Sequence, residues 1–304
     1  MKLNYQNGAG IKASICYIFL LLSIFNFSLA ESVTEENPPT NITLTALSKT
    51  PTVDGELTEW GSDKWHPIIL KPAQEKHEKK LPAELLVELK IAILDGMFYM
   101  AAKWPDSKPD LEYKNWVWRA NKYRRGKKLD DMFAIRFDME GDYNQCMISG
   151  SSYNVDVWLW SSARSNLTDY AEDMYHRIST RYIENAAEYE NKQGKTVYIK
   201  KKKDAGIASY AYKRINRKKK QKDKLSSVKV IENPSGSVID VKAKAKWKNG
   251  KWYIEMARKL DTGNEDDVLL KDKKNIRASI AVFNHNASEN KNKSNTLLIQ
   301  LNPL

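Results

Sequence analysis

The chain has 304 residues, 41% of them hydrophobic, with 9 Trp, 15 Tyr, 2 Cys and a formal net charge of +12. That apolar and aromatic content is enough to build a core, which excludes a disordered chain. The basicity is local, with 13 Lys/Arg against 2 Asp/Glu in residues 195–224 and a remainder close to neutral, which argues against nucleic acid as the partner.

Lys2 and Lys12 precede the apolar run "ICYIFLLLSIFNF", and "SLAES" offers the small residues Ser28 and Ala30. This predicts a signal peptide over residues 1–30, cleaved after Ala30, and export to the periplasm or an equivalent compartment. The run falls short of the roughly 20 apolar residues of a membrane span, so none is expected after cleavage. Cys16 lies in that segment and leaves Cys146 alone. An internal disulfide and C-x-x-C-H attachment of a c-type haem are thereby excluded.

Residues 31–50 read as a polar leader, and the folded domain is expected over 51–304. Asp54-Gly55 signals a turn, with Trp60 on a short turn or helix. "AELLVELKIAILDGMFYMAAKW" reads as a hairpin turning at Asp95-Gly96. "YKNWVWRANKYRRGKKL" is expected to be an irregular loop. "DDMFAIRFDM", "QCMISG" and "VDVWLWSS" read as strands, and 165–184 as irregular or short helical structure. Residues 185–236 read as a lysine-rich insertion without regular structure, either a solvated loop or a docking surface for an acidic partner. "VIDVKAKAKWKNGKWYIEMARKL" is a second hairpin, with Val241, Ala243, Ala245 and Trp247 on one face and a turn at Asn249-Gly250. "RASIAVF" and "NTLLIQL" bracket a final loop. Many short strands with regular turn signals predict an all-β antiparallel sandwich with short helices and long loops.

Catalytic patterns are scarce. His66, His77, His176 and His285 form no zinc motif, and no nucleophile elbow or phosphate loop occurs. Asp130-Asp131 reads as solvated turn carboxylates or a calcium site before general acid–base groups. Trp158 and Trp160, at i and i+2, share a strand face and serve either as core or as a wall for a ligand such as a sugar. Met147 beside Cys146 is by composition a core filler.

The order of motifs adds a resemblance. "VDGELTEW", "LKIAILDGMFYMAAKWPD", "DDMFAIRFDM", "CMISGSSYNVDVWLWSSAR", "NGKWYIEMARKLDTGNEDDV" and "SIAVFNHNASENKNKS" span most of residues 51–304 outside the insertion. Together they resemble the haem-b-binding gamma subunits of type II DMSO-reductase-family molybdenum enzymes. These include ethylbenzene, dimethylsulfide, selenate, chlorate and nitrite oxidoreductases. "DDMFAIRFDM" and "SIAVFNHN" favour nitrite oxidoreductase among them.

The resemblance implies a β-sandwich related to carbohydrate-binding family 9 modules, with one non-covalent haem b. It places Met147 as one axial ligand of the haem iron and Lys293 as the other, with Lys291 and His285 as alternatives. Trp158 and Trp160 would wall the porphyrin, and Arg164 and Arg258 would pair with its propionates. Cys146, facing away from Met147, would be a packed thiol. A thioether favours ferrous iron, and a lysine binds iron only as the neutral amine. The implied role is non-catalytic electron transfer between the iron–sulfur beta subunit, beside a molybdopterin alpha subunit, and a soluble c-type cytochrome. Two other readings stand beside it: a secreted carbohydrate-binding module on the same fold, and a haem-free structural subunit.

Overall fold

A computed structural model describes residues 38–73, 83–284 and 291–301. The strands fall into two antiparallel layers. One runs, in pairing order, Ala187–Glu190, Thr196–Lys203, Glu172–Ser179, Tyr153–Ser161, Met132–Gly141 and Asn275–Phe283. The other runs His66–Pro72, Leu85–Leu94, Met97–Pro105, Lys251–Lys259 and Lys242–Lys248. The short strand Lys291–Lys293 pairs with Asn275–Phe283 on one side and His66–Pro72 on the other, so the hydrogen-bonded path is continuous. Both expected hairpins form, with turns at Asp95-Gly96 and Asn249-Gly250, because each turn pair supplies the positive φ that a tight hairpin needs.

The core lies between the layers. Side chains alternate along each strand, so Phe133, Phe137, Trp158 and Trp160 of one layer meet Phe98, Trp104 and Trp252 of the other. The short 3-10 helix Thr58–Trp60 covers the outer face of the second layer, where Trp60 packs on Ala92, Tyr99, Ala101 and Ala257 and Glu255 accepts hydrogen bonds from the Trp60 indole at 2.8 Å and from the Gly55 and Asp54 amides.

Four expectations are corrected. The leader is part of the sandwich: Thr40–Ile42 pairs in parallel with Leu297–Gln300, and Ile42 is fully buried in the core. The insertion contributes two strands to the first layer, Ala187–Glu190 and Thr196–Lys203, the latter because Val197 and Ile199 alternate onto the apolar outward face, against the lysines and tyrosine between and after them. Residues 165–184 hold one helical turn, Ser165–Leu167, and then the strand Glu172–Ser179. The aromatic loop contains a small hairpin, Trp116–Arg119 with Lys122–Arg125, turning on Ala120 and Asn121, both at positive φ.

Candidate functional site

The tryptophan strand decides where a site can be. Asp156, Trp158 and Trp160 face the other layer, while Tyr153, Val155 and Val157 face outward. Trp158 and Trp160 are both fully buried among aromatics of the intersheet core. Neither walls a cofactor on the Met147 side, because Met147 packs against the outward residues of the same strand. Their expected role is corrected on that ground.

Met147 is not on a strand either. Asn144 Oδ1 accepts the Cys146 amide at 2.7 Å, and the Ser149 amide donates to the Cys146 carbonyl at 3.1 Å. These bonds close a turn with Met147 and Ile148 at its tip, as the Asn, Ser and Gly residues around them favour. Gly141 lets the chain enter this turn segment: its φ is +92°, and a Cβ there would lie 2.6 Å from the Ser152 carbonyl oxygen.

The segment Asp142–Ser151 lies over the outward face of its layer. Tyr143 donates its hydroxyl to Ser279 Oγ at 2.9 Å, Tyr153 to the Asn144 carbonyl at 2.7 Å, and Arg136 Nη2 to the Gln145 carbonyl at 2.6 Å. Met147 rests half-buried on the cluster of Tyr143, Tyr153, Val155, Val157 and Ile178, with Met174 beside it.

Strand register carries Lys293 to the same face. It pairs with Ala281, which pairs with Ala134, one row from the Ser279–Arg136–Val157–Met174 row. Burial pulls the Lys293 amine below its ordinary value; Arg136 and Lys192 push the same way, and Cys146 opposes them. Cys146, half-buried in the turn, is thus within electrostatic reach of Lys293, and its expected role as a thiol facing away on a strand is corrected. Lys291 is two residues away on the strand Lys291–Lys293, and His285 lies outside the described residues.

Three cations on this face lack a carboxylate partner and one imidazole lacks any hydrogen bond among the described residues. Arg136 contacts Ser279 Oγ at 3.1 Å and the Gln145 carbonyl, and no carboxylate pairs with Arg136, Lys201 or Lys293 among the described residues. His176 is buried, and neither ring nitrogen has a hydrogen-bond partner among those residues. It stands across from Val155 on one side and Lys201 on the other. Burial, with Lys201 and Arg136 adding to it, lowers its pKa to about 3. An uncompensated cationic rim beside an orphaned imidazole is what an anionic, hydrogen-bonding ligand would complete.

The His176 shift predicts an acid sensitivity. Its folded pKa lies below the unfolded value, so its stability contribution is present above about pH 6.5 and is lost as pH falls toward the folded value, by at most about 5 kcal/mol. Urea unfolding of the ligand-free protein between pH 7 and pH 4 should show a steeper decline than for His176→Phe. Parallel curves for the two would refute the assignment.

Arg164 and Arg258 are spent inside the protein, and their expected propionate roles are corrected. Arg164 is buried and pairs with Asp130 and Glu172, each at 3.2 Å. Arg258, fully buried, pairs with Asp156 at 2.6 Å, Asp267 at 2.8 Å and Asp173 at 3.5 Å. Asp130 and Asp131 are buried acceptors, not solvated carboxylates: Asp130 holds Arg164, and Asp131 takes the Trp252 indole at 3.1 Å. Arg136 and His176 were missed by the sequence reading. The signal for them was alternation in "AIRFD" and "EDMYHRIS", which places Arg136 opposite the inward face of Ile135 and Phe137 and His176 between the outward Met174 and Ile178.

A sandwich whose interior is filled by its own aromatics has to take any ligand of this size class on an outer face. This chain is of that class, with Met147 on a turn over the sheet face that also carries Arg136, His176 and Lys293. The family model described as ethylbenzene dehydrogenase matches residues 60–294, and the chain belongs to that family. No curated protein matches it. Two solved structures of a carbohydrate binding module family 9 protein from Caldicellulosiruptor kristjanssonii are similar in fold. The complex with glucose has 11% identity and a TM-score of 0.37, covering 86% of this chain and 95% of that one. The complex with cellotriose has 13% identity and a TM-score of 0.37, covering 86% and 93%. Among the described residues no helix is long and apolar enough to cross a membrane.

Proposed function

We propose that this chain is an exported electron-transfer subunit carrying one haem b, held between Met147 and Lys293. The family membership supports an accessory subunit of a molybdenum oxidoreductase complex. The observation that carries the cofactor is the outward face itself. It joins a thioether on a turn, a lysine with a lowered amine pKa, and cations without carboxylates, three things that one haem would use together. A bound haem, held by Met147 and Lys293, would supply a one-electron couple.

The chain's own residues would do the rest. Met147 offers a soft sulfur that favours the reduced metal. Lys293 must be neutral to donate, and its partly buried setting lowers the cost of losing the proton. Arg136, half-buried, and Lys201, open to solvent, replace Arg164 and Arg258 as the groups that would meet the propionates. Val155, Val157 and Met174 supply the apolar floor. The partners in this reading are an iron–sulfur beta subunit, a molybdopterin alpha subunit and a soluble c-type cytochrome. Nitrite oxidoreductase is the complex favoured by "DDMFAIRFDM" and "SIAVFNHN".

Absorption spectroscopy of the purified chain reconstituted with haem tests this. A six-coordinate low-spin spectrum is expected, with one haem per chain. Met147→Ala and Lys293→Ala should each shift it toward a five-coordinate or high-spin form. Arg136→Gln should keep the spectrum and weaken haem binding by about tenfold, the worth of one charge-assisted contact. Unchanged spectra in both ligand variants would overturn the assignment. No haem uptake, with retained binding to the partner subunits, would favour a structural subunit instead.

A further inference from the structure

On the inner side of the same layer, aspartates converge at the junction between the insertion and the sandwich. Asp156, Asp173 and Asp267 form one triad and Asp204, Asp266 and Asp267 a second, each with carboxylate oxygens within 4.8 Å of one another. The first triad has its cation, since Arg258 Nη1 lies 2.6 Å from Asp156, 2.8 Å from Asp267 and 3.5 Å from Asp173.

In the second triad only Asp267 shares that cation, through Arg258 at 2.8 Å. Among the described residues no Lys or Arg forms an ion pair with Asp204 or Asp266. Asp204 is 5% exposed, and among the described residues neither of its carboxylate oxygens meets a hydrogen-bond donor. Asp173 is fully buried, and among the same residues both its oxygens also lack a hydrogen bond and its ion pair is Arg258 at 3.5 Å. Asp266 is held in place by the Ala205 amide at 3.1 Å and the Ser237 hydroxyl at 2.9 Å, and Asp267 by the Thr262 hydroxyl at 2.5 Å. These are strand-end and loop residues fixed by their neighbours, and they leave oxygen lone pairs unused. Buried carboxylates in this number need a proton or a cation to neutralise them.

We propose that Asp204, Asp266 and Asp267, with Asp173 adjoining, bind one Ca2+ ion. The donors are all oxygen, which selects a hard cation over zinc or copper. Mg2+ demands a near-ideal octahedron and keeps several of its waters, whereas Ca2+ accepts an irregular set of carboxylates, so a cluster built from strand-end and loop aspartates suits Ca2+. Asp204 follows the last strand residue of Thr196–Lys203, and Asp266 and Asp267 follow Lys251–Lys259. The ion would therefore tie the lysine-rich insertion to the sandwich. Without it, burial and the neighbouring Asp266, Asp156 and Asp267 push the Asp204 carboxyl up to about 8, so a proton is the competing occupant.

The full chain, desalted after exposure to about 1 mM Ca2+, is analysed for metal content and for thermal unfolding against a chelated sample. One Ca2+ per chain is expected, with a rise in Tm of about 5 °C or more. Asp266→Asn, at a half-exposed position, and Asp204→Asn should each lose the ion and the Tm response, while Asp138→Asn, outside the cluster, should keep both. Wild-type protein that retains no Ca2+ and shows no Tm response overturns the site, whatever the variants do. An equal response to Mg2+ overturns the assignment to Ca2+.

Discussion

Arg258→Met is expected to lower the unfolding free energy by about 3–5 kcal/mol, measured by urea denaturation at neutral pH. The guanidinium is fully buried and is the cation shared by Asp156, Asp173 and Asp267. It also donates to the Val268 carbonyl at 2.9 Å and lies over the Trp158 ring, 4.8 Å from its centroid. Methionine conserves much of the volume, so the loss comes from carboxylates left without their counter-charge.

Burial raises the Asp156 carboxyl above its usual range, and burial with Asp156 raises that of Asp173, while Arg258 works against both. Removing Arg258 raises them further. A carboxyl whose folded pKa lies above its unfolded value gains stability as pH falls, so the deficit of the variant should shrink between pH 8 and pH 5. A variant that keeps wild-type stability but loses haem affinity would show that Arg258 serves a propionate after all.

Trp158→Ala should cost about 3–5 kcal/mol, the range for emptying a buried aromatic site, and should leave haem affinity unchanged in the protein that remains folded. The indole packs edge-on to Phe98 at 5.7 Å and tilted against Phe137 at 4.7 Å between centroids. Aromatic geometry of this kind adds to area burial, and no small rearrangement refills the space from two rigid sheets. Trp158→Phe should recover a large part of the loss. Urea unfolding and a Soret titration on the same samples separate the two roles. Weakened haem binding without a stability change would return Trp158 to the ligand wall.

These two residues also mark where sequence reading reached its limit. That Trp158 and Trp160 share a face was legible from their spacing, because strand periodicity is a local property. Which side of the sheet that face meets was not legible. It depends on the layer Leu85–Leu94, Met97–Pro105 and Lys251–Lys259 folding over it, a long-range event. The same holds for Arg164 and Arg258: a lone arginine in sequence carries no sign of the carboxylates that will surround it. Met147 was singled out by motif order, yet its strand was a turn, since Asn144 and Ser149 bond locally where a ladder was expected.

The sequence by itself determined the strand-rich class and both main hairpins with their turn residues, and its motif order put forward the pair Met147 and Lys293 that the proposed function rests on. Alternation, turn chemistry and motif order are written residue by residue, so they survive without coordinates. The tertiary structure alone decided that Ile42 belongs to the core, that the lysine run Lys200–Lys203 ends a strand of the main layer, and that Arg136 and His176 share the outward face with Met147 and Lys293. It also decided that five aspartates from four separate segments meet in two clusters joined at Asp267, one of them around Arg258. Those facts depend on register and on which layer covers which face, and register is fixed by contacts between segments far apart in the chain.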